Sequence, residues 1–376
     1  MKTKILHISK YIICITLFFN TGLFAQKNDS WIRFQDKKTE LFGYKDLKGN
    51  IKIPASLNEG FGVPDTFNNI IGVTEDLGKD RPYEFYYLLK NGKKVGRDSV
   101  YISSDLYFDC ENEDKIKFKD SKKDKVGFFN KSGKVIIPAI YNDVSPFYNG
   151  VSLVLINAEK EYLIHDGGGK SEHWYWKGGK KMLINDKNEI LIDSCKLSST
   201  INWYSMEINR TGLDTAIYVS LKGENNKIYS FMDYKKEFNK WFFSEFITSI
   251  DQNKLINHYF EKITFWDEED GWISEKSNKF VAEKGNILKQ KFKEIEQKKF
   301  KYFIAEESLN QFIFEKKIYK RYYNSCGEFK KEQYPVFEIV VDHPDIHGKL
   351  DYQESFSFIR PGKGYHLFHL SLKNRK

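Results

Sequence analysis

Two stretches of this chain carry the same punctuation. In "FGYKDLKGNIKIPA", beginning at Phe42, Gly43 is followed by Gly49 at +6 and by Pro54 at +11. In "KVGFFNKSGKVIIPA", beginning at Lys125, Gly127 is followed by Gly133 at +6 and by Pro138 at +11. A β-hairpin accounts for the spacing. Val126–Phe129 is the outgoing strand, and Asn130-Lys131-Ser132-Gly133 is a turn whose glycine supplies positive φ. Val135–Ile137 returns as the partner strand. Pro138 is expected to end the pairing, because it has no N–H to give to a ladder. Tyr141-Asn142-Asp143 makes the next turn, Phe147 packs back, and Gly150 opens a third strand over Val151–Ile156.

Two weaker copies follow the same plan. "YYLLKNGKKVG" places Gly92 in the turn after Tyr86–Leu89, and "MLINDKNEILI" places Asn188 there before Ile190–Ile192. The turn positions 49, 92, 133 and 188 are separated by 43, 41 and 55 residues. A period near 40 residues marks supersecondary units placed in series. One such unit cannot bury its apolar face alone, so stacked neighbours must supply the core. The longest interval holds the insertion "HDGGGKSEHWYWKGGKK".

The residues Val126–Ile156 resemble the WG-repeat family, also called KWG repeats. Lys125-Val126-Gly127-Phe128 stands where Lys-Trp-Gly-Phe is usual, and Gly133, Ile137-Pro138, Tyr141, Asp143, Phe147 and Gly150 fall on their positions. Val126 and Phe42 take the place of the naming tryptophan. The resemblance covers roughly residues 30–195. It implies a β-repeat domain that acts in binding, and it brings no catalytic residues with it.

The 376 residues suffice for two or three domains. With 31 Phe and 23 Tyr, the aromatic content favours β-rich packing. The first 25 residues read as an export signal: Lys2, Lys4 and Lys10, then an apolar run Tyr11–Phe19, then Leu23-Phe24-Ala25 at the cut. Cleavage after Ala25 leaves Gln26 first; an uncleaved anchor is the alternative. Cys14 lacks the small residues that precede a lipoprotein cysteine. Losing three Lys and no acid lowers the formal charge from +8 to +5. Acids and bases are interleaved rather than gathered in a stripe, which argues against nucleic acid. Cys110, Cys195 and Cys326 remain, an odd number spaced too widely for a CxxC site. They read as isolated buried thiols; one disulfide is the alternative, and its partners stay open.

The pattern changes after Cys195, giving a repeat domain over 26–196 and a second domain over 197–376. Strands surround a turn at Gly223–Asn226. Lys236–Ile250 is helical, with Phe238, Phe242, Phe246 and Ile250 recurring every fourth residue. Asp251 is expected to cap a second helix carrying Leu255, Ile256, Tyr259 and Phe260. "KITFWDEEDGWIS" is a hairpin turning at Asp270-Gly271, and a charged helix follows around Ile287–Lys299. Strands are expected over Phe303–Phe314, Val336–Val341, Ser355–Ile359 and Tyr365–Leu372. This α+β domain with an antiparallel sheet resembles the NTF2-like cone in pattern.

Three constellations merit chemistry. "EHWYWKGGK" offers Trp174, Tyr175 and Trp176 beside glycines, as a contact surface; in a strand, Trp174 and Trp176 share a face. "DHPDIH" offers Asp342, His343, Asp345 and His347, and His366 or His369 from the last strand could supply a further metal partner. Alternation puts His369 on one face of that strand and His366 with Phe368 on the other, so His343, Asp345, His347 and His369 make the alternative pocket. Asp, His, Pro and Gly are also plain turn formers. "DEEDG" has consecutive rather than alternating acids and suits a solvated hairpin tip better than calcium. Gly167–Gly169 precedes no helix, and Walker, GxGxxG, GxSxG and HExxH motifs are absent. The chain therefore reads as an exported bacterial protein without a cofactor. It is expected to bind a protein or an envelope polymer, and to touch membrane only through its signal. The alternative is an enzyme or small-ligand binder with a pocket in the second domain.

Overall fold

The computed structural model describes residues 29–373, except 76–82, 104, 166–167, 252–254, 268 and 315–316. The export signal, its cut after Ala25, Gly167 of the glycine run and Glu268 of the acidic tip lie outside the described residues. So does the side chain of Asp251.

Among the described residues the strands form six sheets. The first joins Trp31–Gln35, Phe42–Lys45, Ile51–Leu57 and Thr66–Phe67. The second joins Ile70–Glu75, Glu84–Leu89 and Lys94–Val95, and the third Lys115–Asp120, Lys125–Asn130 and Val135–Tyr141. The fourth joins Asp143–Val144, Val151–Ile164, Lys170–Asn185 and Ile190–Ile192. The fifth joins Ile201–Asn209, Tyr218–Lys222 and Ile228–Asp233. Buried side chains link each sheet to the next. Tyr44 and Phe67 of the first share a core with Val73 and Tyr86 of the second. The opposite face of the second, Ile70, Tyr87 and Leu89, meets Ile116 and Phe129 of the third. Val126, Phe128 and Ile137 of the third meet Val154, Met182 and Ile184 of the fourth. Val151 and Leu183 of the fourth meet Trp203 and Phe231 of the fifth.

The two best-matched hairpins have the same internal geometry. A Cβ on Gly43 would lie 2.6 Å from the Ile53 carbonyl oxygen and 2.8 Å from the Pro54 carbonyl carbon. One on Gly127 would lie 2.7 Å from both the Pro138 carbonyl carbon and the Ala139 nitrogen. Each glycine thus lets the Ile-Pro backbone of its return strand cross directly over it. The ring after each glycine meets a later Phe edge-on: Tyr44 on Phe67 at 5.3 Å, Phe128 on Phe147 at 4.8 Å. The four turn positions Gly49, Gly92, Gly133 and Asn188 all have positive φ, at 90°, 81°, 72° and 64°.

Pro54 and Pro138 do not end their strands. Ile51–Leu57 and Val135–Tyr141 run through them. The ladder instead shifts register on either side of Ile53 and of Ile137, and the second shift of each pair spans the proline, so the missing N–H sits at an irregularity where no ladder bond is required.

The sixth sheet runs Gly271–Lys276, Tyr259–Asp267, His366–Ser371, Leu350–Ile359, Val336–Pro344, Lys301–Glu307. Its ladders are antiparallel except that Tyr259–Asp267 and His366–Ser371 run parallel. A continuous helical run precedes it: α-helix Tyr234–Trp241, a π-turn over Phe242–Phe246, and α-helix Ile247–Asp251. Asp233 caps its start by accepting from the Lys235 and Lys236 N–H groups. Leu255–His258 is one 3₁₀ turn, and Tyr259 already begins a strand, so among the described residues the expected second helix is not formed. The long helix spans Ser277–Glu296, starting ten residues before the expected one. The strand expected over Phe303–Phe314 stops at Glu307. Phe238, Phe242, Phe246, Phe292, Phe356 and Phe358 fill the space between helices and sheet.

Cys110 and Cys326 form a disulfide across 216 residues, with Cα atoms 6.1 Å apart, and Cys195 is a free buried thiol. The reading of three isolated thiols is therefore corrected for two of them. The partners come from distant segments, which spacing alone does not reveal.

Candidate functional site

Trp174, Tyr175 and Trp176 lie within a strand, and the presumed insertion is a lengthened hairpin. Val151–Ile164 and Lys170–Asn185 keep one register from Val151↔Asn185 to Tyr162↔Trp174. The third strand was expected to stop at Ile156; it continues to Ile164. Its lateral neighbours end early. Asp143–Val144 pairs only with Val154–Leu155, and Ile190–Ile192 only with Leu183–Ile184. Beyond them the ladder continues as a two-stranded arm.

The arm starts at a backbone break. Asn157, Gly178 and Gly179 all have positive φ, at 58°, 68° and 75°. Buried Asn142 brackets this point: its amide donates to the Ala158 carbonyl at 2.9 Å, and its Oδ1 accepts from the Ala158 N–H at 3.0 Å. On one face, Trp174 and Trp176 meet edge-on at 4.9 Å, the shared face expected of alternate strand residues. The Lys160 ammonium lies 4.3 Å from the Trp174 ring centre and 5.5 Å from that of Trp176. The same ammonium pairs with Asp124 at 2.6 Å, in the turn of the third sheet. Lys119 and Lys160 beside Asp124 hold its carboxyl below the usual carboxylate range. On the other face, the Tyr175 hydroxyl donates to Glu161 at 2.6 Å and Lys177 pairs with the same carboxylate at 2.8 Å. Tyr162, Leu163, Ile164, Trp174 and Tyr175 stay exposed. Such a surface offers aromatic edges and apolar side chains to a partner, with Glu161 and Lys160 already engaged by Lys177 and Asp124. Lys160 and Asp124 were not singled out from the sequence. Only the register, which sets Lys160 opposite Trp176, brings them there.

The alternative set does not converge. His343 is buried on the helix side of the sixth sheet, between Tyr352 at 4.5 Å and Phe300 at 4.4 Å. Its Nε2 approaches Glu354 Oε2 at 2.8 Å without an aligned hydrogen bond, and Lys291 pairs with that carboxylate at 2.6 Å. Asp345 and His347 are exposed in a hairpin turn. Asp345 Oδ1 accepts from the N–H groups of His347 and Lys349 at 2.8 and 2.9 Å, as Asn130 does from Ser132 and Lys134 in the repeat turn. His369 faces the other side of the sheet. Its Nδ1 lies 3.1 Å from Ser357 Oγ, which donates to Glu338, and its Nε2 is buried without a hydrogen-bond partner among the described residues. A register shift in the last strand turns both Phe368 and His369 away from the helices, where simple alternation placed them on opposite faces. Burial lowers the His369 pKa. Among the described residues, no group of three or more His, Cys, Asp or Glu is placed to hold a metal ion.

No curated protein matches the chain. Residues 127–158 match the family model described as the WG containing repeat. That segment runs from Gly127, beneath the crossing Ile-Pro backbone, to Ala158, where the arm departs; over it the chain is similar to a WG containing repeat.

Proposed function

We propose that this chain is an exported, non-catalytic binding protein of a bacterial cell envelope. It contacts a protein or an envelope polymer through the arm bearing Trp174, Tyr175 and Trp176. The observation carrying this reading is the arm itself: a two-stranded extension of the fourth sheet with apolar and aromatic side chains exposed. A two-stranded hairpin is only marginally stable by itself in water, and exposed apolar clusters are a common mark of partner surfaces. Two observations support export: the leader-like first 25 residues, and the Cys110–Cys326 bridge, which suits an oxidising compartment.

The same reading takes residues 26–196 as a stacked array of WG-like hairpin units. It takes 197–376 as an α+β domain of NTF2-like kind, with helices leading into a hairpin, a helix and a four-strand meander. The aromatic filling between helices and sheet occupies the space an enclosed catalytic pocket would need. That filling, with the dispersal of His343, Asp345, His347 and His369, supports a binder over an enzyme.

The test compares two baits on envelope extract: the chain from Gln26 and its Trp174→Ala/Trp176→Ala variant. Capture by the first and its loss in the second is expected, with unchanged circular dichroism and melting. Equal capture by both discards the arm as the contact surface. Fractionating cells that express the chain with and without residues 1–25 tests export; identical distribution rejects it.

A further inference from the structure

We infer that the arm pairs edge to edge with the arm of a second copy of this chain, in a two-fold dimer whose axis passes beside Trp176. The inference rests on the reading of the arm as a contact surface, and it names what one edge of the arm contacts. The backbone carries the argument. Where flanking strands are still present, the Leu155 carbonyl accepts from the Asn142 N–H and the Lys181 carbonyl from the Cys195 N–H, both at 2.8 Å. Leu155 and Lys181 lie opposite each other, so theirs is a pair whose peptide groups point away from the hairpin. Past the break at Asn157, Gly178 and Gly179, the Ala158 peptide groups again point outward, to the Asn142 side chain. Opposite pairs alternate in type along an antiparallel ladder. The pairs Ala158↔Gly178, Lys160↔Trp176 and Tyr162↔Trp174 therefore turn their N–H and carbonyl groups to the two outer edges of the arm.

The two edges are not equal. On the first, Ala158 is already bonded to Asn142, and the Lys160 ammonium is held by Asp124 of the third sheet. On the second, Ile190–Ile192 pairs only with Leu183–Ile184, and among the described residues no strand lies beside Trp174–Gly178. An open edge is a template for another extended chain, and a two-stranded hairpin needs further strands to be stable. The open window is symmetric about Trp176. The Gly178–Gly179 break bounds it at one end, and the register shift past Tyr162↔Trp174 bounds it at the other. A second copy laid antiparallel about Trp176 sets that residue against its own counterpart, and sets Trp174 of each copy against Gly178 of the other. Nothing lies within 4 Å of the side-chain position of Gly178, so the incoming indole finds open space. An aromatic ring across from an edge glycine is a favourable cross-strand pair. On the opposite face Tyr175 meets Lys177 of the second copy, so no like charges oppose each other within the window. Because the first edge is guarded, the pairing closes at two copies instead of running on as a fibre. Trp174 and Trp176 of both copies then share one face, which stays free for the envelope partner.

Sedimentation of the purified chain from Gln26 over a concentration series tests this in the absence of envelope extract. A monomer–dimer equilibrium is expected. Trp176→Pro deletes an outward N–H and leaves the hairpin's own ladder intact. It is expected to weaken dimerisation by about tenfold or more, with unchanged circular dichroism. Trp176→Cys brings two thiols together at the axis and is expected to give a disulfide-linked dimer under mild oxidation. Tyr162→Cys, on the guarded edge, is not expected to do so, although Tyr162 is more exposed than Trp176 and chance collision would favour it. A chain that is monomeric at every concentration overturns the inference. So does Trp176→Pro dimerising as tightly as the unaltered chain, or equal cross-linking from positions 162 and 176. Dimerisation is read in purified protein and capture in extract. A dimer captured equally with and without its tryptophans therefore fails only the envelope reading, and a monomer that captures a partner fails only this one.

Discussion

Gly43 and Gly127 each sit under a crossing strand, whereas Gly49 sits in an open turn with no atom near its missing side chain. The two situations predict different costs. Gly127→Ala forces the Ile137–Ala139 backbone to move and should cost about 3 kcal/mol, in the range of severe single mutations. Gly49→Ala meets only the left-handed backbone penalty, about 1 kcal/mol. Urea midpoints of the two variants check the ranking; equal losses would refute the crossing-strand account. His258 and His369 give a pH prediction. Burial lowers both pKa values below the ordinary 6.5. Between the folded and unfolded pKa values, the unfolded chain binds more protons, so stability falls as pH drops below 6.5. Melting temperature should decline on acidification through that range, and His369→Gln should flatten the decline. The turn glycines were legible in sequence because only residues that tolerate positive φ fit there. The surroundings of His369 were not, because a single register shift in its strand reverses which way it points.

Helical periodicity is a local property, and the run around Phe238–Ile250 was legible for that reason. Its π-turn, where the Ile247 N–H donates to the Phe242 carbonyl, has no such local signature. The arm was legible in composition but not in length. Its extent depends on which residues pair across the hairpin and on where the flanking strands stop. The Lys160–Asp124 pair anchors the arm to the third sheet. Asp124→Asn should free the lysine from its carboxylate and change the emission of Trp174 and Trp176, with little effect on melting because the pair is partly exposed. Because the folded Asp124 pKa is depressed below 3.8, its contribution is present above that pH and fades only as pH falls through the lower folded value. An emission change on acidification that persists unaltered in Asp124→Asn would detach it from this pair.

Across the whole molecule, one segment ties distant parts together. Between Glu307 and Val336 the chain contains no β-strand among the described residues. Along it the Ser325 carbonyl accepts from the Thr66 N–H at 3.1 Å, Cys326 bonds Cys110, and burial raises the Glu332 pKa against the lowering effect of a hydrogen bond from Tyr148. Reduction, or Cys110→Ser with Cys326→Ser, should lower stability by about 2–5 kcal/mol, the usual worth of a native bridge closing a long loop. Matching melting curves with and without dithiothreitol would contradict this. The pairing was beyond sequence reasoning because it reports a meeting in space of segments 216 residues apart.

Because Cys326 is synthesised so long after Cys110, the early hairpins emerge before their covalent lock can exist. The bond also makes the finished molecule forgiving of cuts. A protease nick anywhere between the two sulfurs leaves the fragments tethered, migrating as one band until a thiol separates them.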